Sequence, residues 1–421
     1  MNPFSTPFND ITFSDVEDFC AQKHPESTTL DYKQAMPRDL AKHFATFSNT
    51  LGGMIIIGVK ENPSTGEPLQ WEGLANDAKL TEQANQFAAN VNPLPNYSVR
   101  TTDEKNGKVF LLINILEGDA PPYLANSDPT VWLRTGNVSK PLRPADREEL
   151  VRMVEKKNSA QKVREHNIKT ASSVFGAGVE QAEKERIRLI EQAEKTGKSH
   201  SLSKKPYNTD NSFLNVEIQP FYPERLLVEP REIKSKLAEL QTESRHGSGF
   251  PPMDMEPMPN GLYSLKQSSF GDQIRAYQLY ANGLIYYTED VWWIENQSEK
   301  SIHLWHVADA LYKVLIFARK FYSAFGYNGL LVGEITLKNA LSAKLNIIVP
   351  DGYSPPLFGK YQVHKLADYD WKIETDTHVI SDTEQTIQLF KKIMEKIYWD
   401  LGLETFQSDV IDKYLEQSGW K

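Results

Sequence analysis

Within eight residues the chain places Glu26, Asp31 and Lys33, in the run Glu26-Ser-Thr-Thr-Leu-Asp31-Tyr-Lys33. A third carboxylate, Glu61, follows the apolar stretch Gly53-Met-Ile-Ile-Ile-Gly58-Val-Lys. Carboxylates with a lysine are the residue types that phosphodiester cleavage uses. Oxygen ligands hold a hard divalent cation, Mg²⁺ or Mn²⁺, which polarises the phosphate and activates water, and an ammonium balances charge on the leaving group. The competing reading is structural: Glu26 at a helix exit, Asp31 on a strand surface, and Lys33 as their ion-pair partner, since Asp and Glu are usually exposed.

For these groups to meet, the backbone must bend. Five residues separate Glu26 from Asp31, which places them on opposite faces of one regular strand. They converge if Glu26 belongs to the turn after Pro25, which cannot continue the preceding helix. That helix is signalled by Ser14-Asp-Val-Glu17, a capping-box pattern, followed by Val16, Phe19 and Cys20 on one face. Thr28–Gln34 reads as a short strand. A second helix begins near Pro37, buries Leu40, Phe44 and Phe47, and stops at Gly52-Gly53. Met54–Val59 is apolar on both sides, as in a central covered strand. Thr81–Asn92 reads as a helix, Tyr97–Thr102 with Val109–Leu116 as a hairpin around Lys105-Asn-Gly107, and Thr130–Arg134 as a strand from which Gly136 turns into a helix around Asp146–Val154. Glu67 lies in the same loop as Glu61 and is a second candidate for the third carboxylate.

Several motifs in order resemble the Schlafen-type AlbA domain over about residues 10–155. They are Glu26-Ser-x-x-x-Asp31-Tyr-Lys33, then Asn49-Thr-x-Gly52-Gly53-x-x-x-x-Gly58-Val, Pro121-Pro122-Tyr123, and Val131-Trp-Leu-Arg134-Thr-Gly136-Asn. The resemblance implies a metal-dependent endoribonuclease cutting tRNA or other structured RNA, in bacterial antiphage defence. The same family resemblance also implies non-catalytic nucleic-acid-binding regulators, and DNA as a possible ligand. Its acidic positions map onto Glu26, Asp31 and Glu61 as catalytic and metal-holding residues, with Lys33 assisting. An aspartate stands at the second position where glutamate is commoner, shortening its reach by about 1.5 Å.

Charge and length set the wider frame. The 421 residues exceed one ordinary core. The expected fold is α+β throughout: an AlbA domain at 1–155, a charged helical connector and flexible linker at 156–212, and a C-terminal α+β domain with long helices at 213–421. Residues 1–150 carry 13 Lys+Arg against 20 Asp+Glu, whereas residues 151–210 carry 13 against 8. The basic excess therefore sits in the connector, which argues against a constitutive nucleic-acid coat. Arg134, Lys140 and Arg143 form a candidate phosphate-contacting strip, with Lys156, Lys157, Lys162, Arg164 and Lys169 as its extension or simply a solvated helix face. One cysteine, Cys20, excludes a disulfide framework and a cysteine-based zinc cluster. No apolar run reaches a membrane span and no signal peptide is visible, so the expected setting is the cytosol, with nucleic acid as partner, no membrane, and a homo-oligomer pooling its basic segments. No P-loop motif occurs.

Beyond residue 212, Phe213–Gln219, Ala276–Tyr287 turning at Asn282-Gly283, and Val291–Ile294 read as one sheet. Helices are expected over Pro230–Leu240, Ile302–Phe325 and Glu384–Leu401, and further strands over Gly329–Leu337 and Lys344–Val349. His303 and His306 are close enough to share a metal, and Trp292-Trp293 could stack bases, although packed helix and sheet core account for both. This half could serve as a sensor, a partner-binding module or an oligomerisation unit; a third reading makes the chain a scaffold subunit of an oligomeric defence assembly, with the AlbA domain as the scaffold.

Overall fold

The computed structural model describes residues 3–4, 8–143, 146–196, 212–223, 226–242, 249–267, 273–295, 299–346, 348, 363, 366–404, 406 and 408–417. The chain divides into two units. The first is Met1–Lys162 with Tyr322–Leu330 and Asp376–Asp382; the second is Val163–Phe321, Leu331–Thr375 and Thr383–Lys421.

The first unit contains, in order, α1 (Phe13–Ala21), β1 (Leu30–Lys33), α2 (Leu40–Ser48), β2 (Gly53–Ile57), β3 (Val59–Glu61), β4 (Pro68–Trp71), β5 (Leu74–Ala75), α3 (Leu80–Ala88), β6 (Val91–Asn92), β7 (Tyr97–Thr101), β8 (Lys108–Val109), β9 (Leu111–Ile115), β10 (Leu124–Ala125), β11 (Trp132–Thr135) and β12 (Val138–Pro141). Its main sheet runs β1-β2-β9-β7. β1 is parallel to β2, because α2 carries the chain back across the sheet. β9 is antiparallel to both of its neighbours.

Both faces of this sheet are covered, which is why β2 is apolar at every position. Ile55 and Ile57 join Leu40, Phe44 and Phe47 of α2 on one face. Met54 and Ile56 join Phe13, Val16 and Phe19 of α1 on the other. Tyr32 and Leu30 also belong to the α1 layer, so the alternation of β1 sends Asp31 and Lys33 to the side of α2. The α2-to-β2 turn needs glycine. Gly52 has φ +66°, and a Cβ on Gly53 (φ +147°) would lie 2.4 Å from the Thr29 carbonyl oxygen. Within the same unit, Asn114 of β9 makes hydrogen bonds with His378 (2.6 Å) and with Asn328 (2.8 Å).

Three sequence expectations change here. The central strand stops at Gly58, and β3 pairs instead with β4 in a separate ribbon. Gly136 does not lead directly into a helix; it turns β11 into β12 as a hairpin. The charged segment that follows forms one 50-residue helix, α4 (Arg147–Thr196), which runs through Gly176 and Gly178 without a break. Gly178 is there for space: a Cβ would lie 2.0 Å from the Tyr263 hydroxyl.

After α4 come β13 (Phe213–Pro220), α5 (Pro230–Leu240), β14 (Glu256–Met258), β15 (Gly261–Gln267), β16 (Ile274–Tyr280), β17 (Ile285–Asp290), β18 (Trp292–Glu295), β19 (Glu299–His303), α6 (Leu304–Ala324), β20 (Leu330–Leu337), β21 (Lys344–Asn346), β22 (Tyr369–Asp376), α7 (Thr377–Ser381), α8 (Thr383–Asp400) and α9 (Ser408–Gln417); all but α7 and the last turn of α6 lie chiefly in the second unit. Seven strands form a sheet in the order β14-β15-β16-β17-β13-β20-β22. The later part of α4 packs on it through Ala171, Phe175, Val179 and Ala182, so this stretch is no free strap. β18 does not continue this sheet but joins β19 and β21. The flexible linker expected over 195–212 falls almost entirely outside the described residues, as do the side chains of Trp292 and Trp293. No helix among the described residues is long and apolar enough to cross a membrane.

Candidate functional site

Asp31 lies in the middle of β1, its side chain 2% exposed, and three cationic or polar groups from three elements converge on it. Arg134 of β11 donates from Nη2 to Oδ1 at 3.0 Å. Lys33, two residues along the same strand, reaches Oδ2 at 2.7 Å. His43, from the inner side of α2, brings Nδ1 to 3.4 Å from the same oxygen. Burial opposes ionisation of Asp31, but the charges of Lys33, Arg134 and His43 outweigh it and hold the carboxyl below its usual range.

Glu26 sits in the turn before β1, where Pro25 directs it. Its backbone N–H donates to Gly66 O at 2.8 Å, and its Oε1 accepts the Tyr32 N–H at 2.8 Å. The carboxyl therefore folds back over the start of the strand, and the two carboxylates meet although their spacing in a straight strand would separate them. Burial first, and then the neighbouring Asp31 charge, pushes the Glu26 carboxyl up to about 9. Glu61, at the end of β3, adds to this rise as a neighbouring carboxyl. Glu67 is placed in the β3–β4 turn, with its carbonyl bonded to the Asn62 N–H at 2.7 Å, and makes no described contact with Glu26.

The oxygen-only donor set of Glu26, Asp31 and Glu61 suits a hard divalent cation. Its shape is that of a site already holding an internal cation. The Lys33 ammonium lies 2.7 Å from Asp31 and 3.8 Å from Glu26. Among the described residues no group of three or more His, Cys, Asp or Glu side chains is arranged as a metal cage. With its side chain 22% exposed, Lys33 is partly open to solvent.

The strip proposed from sequence divides. Lys140 and Arg143 are exposed. Arg134 is not; its guanidinium is 2% exposed and is consumed by Ser27 O (2.8 Å), Leu30 O (2.9 Å) and Asp31, while stacking over Phe47. It braces the carboxylate from behind and is out of reach of a surface phosphate. On α4, Lys156 is paired with Glu117, and Arg164 donates to Phe221 O while lying over its ring. That helix face is therefore engaged with protein at these positions. His306 stacks on Trp305 and faces Glu289 at 3.4 Å, and His303 contacts Asn346; among the described residues neither is part of a group able to hold a metal.

Sequence reasoning missed the residues that place Arg134. Asn49 brackets the Tyr123 backbone, donating to its O at 2.8 Å and accepting its N–H at 2.6 Å, and also donates to Trp132 O at 3.1 Å. Thr50 Oγ1 accepts the Arg134 N–H at 2.9 Å. His43 was missed too, although its signal is a polar residue one position from the buried Phe44 on an apolar helix face.

Residues 26–143 match the family model described as Schlafen, AlbA_2. This segment is a Schlafen-type AlbA domain. No curated protein matches the chain. Among solved structures, the crystal structure of the DIP2311 protein from Corynebacterium diphtheriae is similar over 33% of this chain and 28% of its own, at 20% identity and a TM-score of 0.24. The chain thus spans less than a third of that protein's length. The AlbA match suggests nucleic-acid binding or nuclease activity. Its boundaries begin at Glu26 and take in Asp31, Lys33, Glu61, Arg134, Lys140 and Arg143.

Proposed function

We propose that the AlbA domain is a metal-dependent endoribonuclease acting on structured RNA, with tRNA as the first substrate to test and antiphage defence as its setting. One observation supports this reading: the carboxylates of Glu26 and Asp31 come together at β1 beside the Lys33 ammonium. Mg²⁺ or Mn²⁺, held by Glu26, Asp31 and Glu61, would supply Lewis-acid polarisation of the scissile phosphate and a more acidic water. Lys33 is a partly exposed cation able to meet phosphate charge, and Arg134 keeps Asp31 in place and ionised. Lys140 and Arg143 remain as exposed contacts for the nucleic-acid backbone. Because residues 1–150 are net acidic, binding is weak and falls with added salt, and a homo-oligomer would gain by pooling its exposed cations.

A second reading is favoured by Lys33 itself. A domain whose carboxylates are already neutralised by an internal ammonium could bind nucleic acid, RNA or DNA, without cutting it. Incubating the purified chain with total tRNA or a DNA duplex, with Mn²⁺ or with EDTA, separates the two. Metal-dependent RNA cuts that disappear in Glu26→Ala and Asp31→Ala support the nuclease. Binding without cutting, unchanged by those substitutions, sinks it in favour of the regulator.

A further inference from the structure

Asn114 is fully buried on β9, on the face of the sheet that it shares with Leu112. A side-chain amide in that apolar layer needs hydrogen-bond partners. They come from Tyr322–Leu330 and Asp376–Asp382, the two segments of the C-terminal half that belong to the first unit. Four hydrogen bonds run in series. The Gly329 N–H donates to Thr377 Oγ1 at 3.1 Å, and Thr377 Oγ1 donates to Asn328 Oδ1 at 2.8 Å. Asn328 Nδ2 donates to Asn114 Oδ1 at 2.8 Å, and Asn114 Nδ2 meets His378 Nε2 at 2.6 Å.

The series has one possible direction. A backbone N–H can only donate, so Thr377 Oγ1 accepts from Gly329 and gives its single proton to Asn328. Each amide then presents oxygen on one side and NH₂ on the other, and the last NH₂ points at the imidazole. Nε2 must therefore offer a lone pair, and the neutral ring carries its proton on Nδ1. Protonating Nε2 would set two donors against each other across 2.6 Å. Turning the Asn114 amide would offer oxygen to the ring but press its NH₂ on that of Asn328. The conflict would pass back along the series to the Gly329 N–H, which cannot reverse.

The surroundings act in the same sense. His378 is half-buried, with the Phe8 ring edge-on to it at 5.5 Å between centroids. Its described partners from β9, from Tyr322–Leu330 and from Phe8 are uncharged. Burial first, and then the positive amino terminus, hold the imidazole below its usual range, against the opposing pull of Asp376. Asp376 is itself engaged as the cap of α7, accepting the His378 and Val379 N–H groups at 2.7 and 3.1 Å.

We propose that this series is a proton-sensitive latch: with His378 neutral it fastens α7 and Asn328–Gly329 to β9, and protonation of Nε2 releases them. The latch involves none of Glu26, Asp31 or Glu61. Folding disfavours the charged imidazole, so the latch contributes its full stability above pH 6.5, the usual imidazole value, and loses it as pH falls below.

The test uses the full chain and two substitutions. In His378→Gln the side-chain Oε1 can accept from Asn114 at any pH. In Asn114→Asp one carboxylate oxygen still accepts from Asn328, while the other invites a proton onto Nε2. Hydrogen exchange of peptides covering Gly329 and Thr377–Ser381, corrected for intrinsic rates, is followed at about pH 5 and about pH 8. Wild-type protection is expected to fall about 2–10-fold at the lower pH, the net worth of one hydrogen bond, and His378→Gln to be protected alike at both. Equal pH dependence in the wild type and His378→Gln overturns the latch. Imidazole ¹⁵N shifts of the histidine-labelled protein, with His378 assigned by its loss in His378→Gln, read the tautomer directly. The wild type is expected to show Nδ1–H and to titrate below 6.5, moving above 6.5 in Asn114→Asp. A wild-type proton on Nε2 at neutral pH refutes the proposal. If Asn114→Asp does not fold, the glutamine variant and the wild-type shifts decide.

Discussion

Arg134 offers the sharpest test of how the site is built. Replacing it by methionine keeps much of the apolar stem over Phe47 but removes every guanidinium hydrogen bond. Asp31 Oδ1 and Ser27 O are then left without that donor in the interior, because Arg134 bonds them at 3.0 and 2.8 Å with its side chain only 2% exposed. Removing one partner of a buried ion pair costs about 3–5 kcal/mol. Here Lys33 still neutralises Asp31 from Oδ2, so the lower end applies, about 3 kcal/mol. For a unit of this size that corresponds to a fall in melting temperature of roughly 6–12 °C. The assay is thermal or urea unfolding at pH 7 of the wild type, Arg134→Met, Asp31→Asn and the double variant. If the two groups act as a pair, adding Asp31→Asn to Arg134→Met recovers part of the loss, since the uncompensated buried charge is gone. A melting shift below about 2 °C, together with weakened RNA binding, would refute this account and return Arg134 to the role of a surface phosphate contact.

Other expectations follow from equally specific contacts. Glu26 has its folded-state carboxyl raised to about 9 against an ordinary 4.5, so its contribution to stability is present below about pH 4.5 and is lost as pH rises towards 9. Glu26→Gln, which cannot ionise, should flatten that decline, and parallel slopes for wild type and variant in unfolding curves from pH 5 to 9 would count against it. Gly53→Ala should destabilise the first unit by about 1–3 kcal/mol or more, through positive φ and a clash with the Thr29 carbonyl, readable as a lower urea midpoint. In the second unit, Glu289 is fully buried and accepts from Arg275 Nε (2.7 Å) and the Tyr287 hydroxyl (2.9 Å). Glu289→Leu should therefore cost about 3–5 kcal/mol, and an unchanged melting profile would show that the network carries no stability.

Much of the AlbA scaffold was legible because its signals are local. The stripe Leu40, Phe44 and Phe47, the glycine pair, and the all-apolar β2 each encode burial within a few residues. The approach of Glu26 to Asp31 was also foreseeable, since Pro25 breaks the helix and puts Glu26 in a turn. The long helix was harder to see. Gly176 and Gly178 look like a break by propensity, yet packing against the second-unit sheet overrides that cost and uses the missing Cβ of Gly178 to admit Tyr263.

The residue types at the site, and their order through the turn and β1, were set by sequence alone: Glu26 in the turn, then Asp31 and Lys33 on the strand, where period-two alternation turns both to one side. Which cations surround Asp31 was decided only by tertiary structure. Arg134 stands more than a hundred positions away and reaches Asp31 because Asn49 and Thr50 pin the later segments to the end of α2. His43 faces it because α2 packs across the sheet. No spacing rule relates such residues, since the distance between them is fixed by chain folding and hydrogen bonding across elements. A surface arginine and one buried behind a carboxylate look the same in sequence; burial separates them.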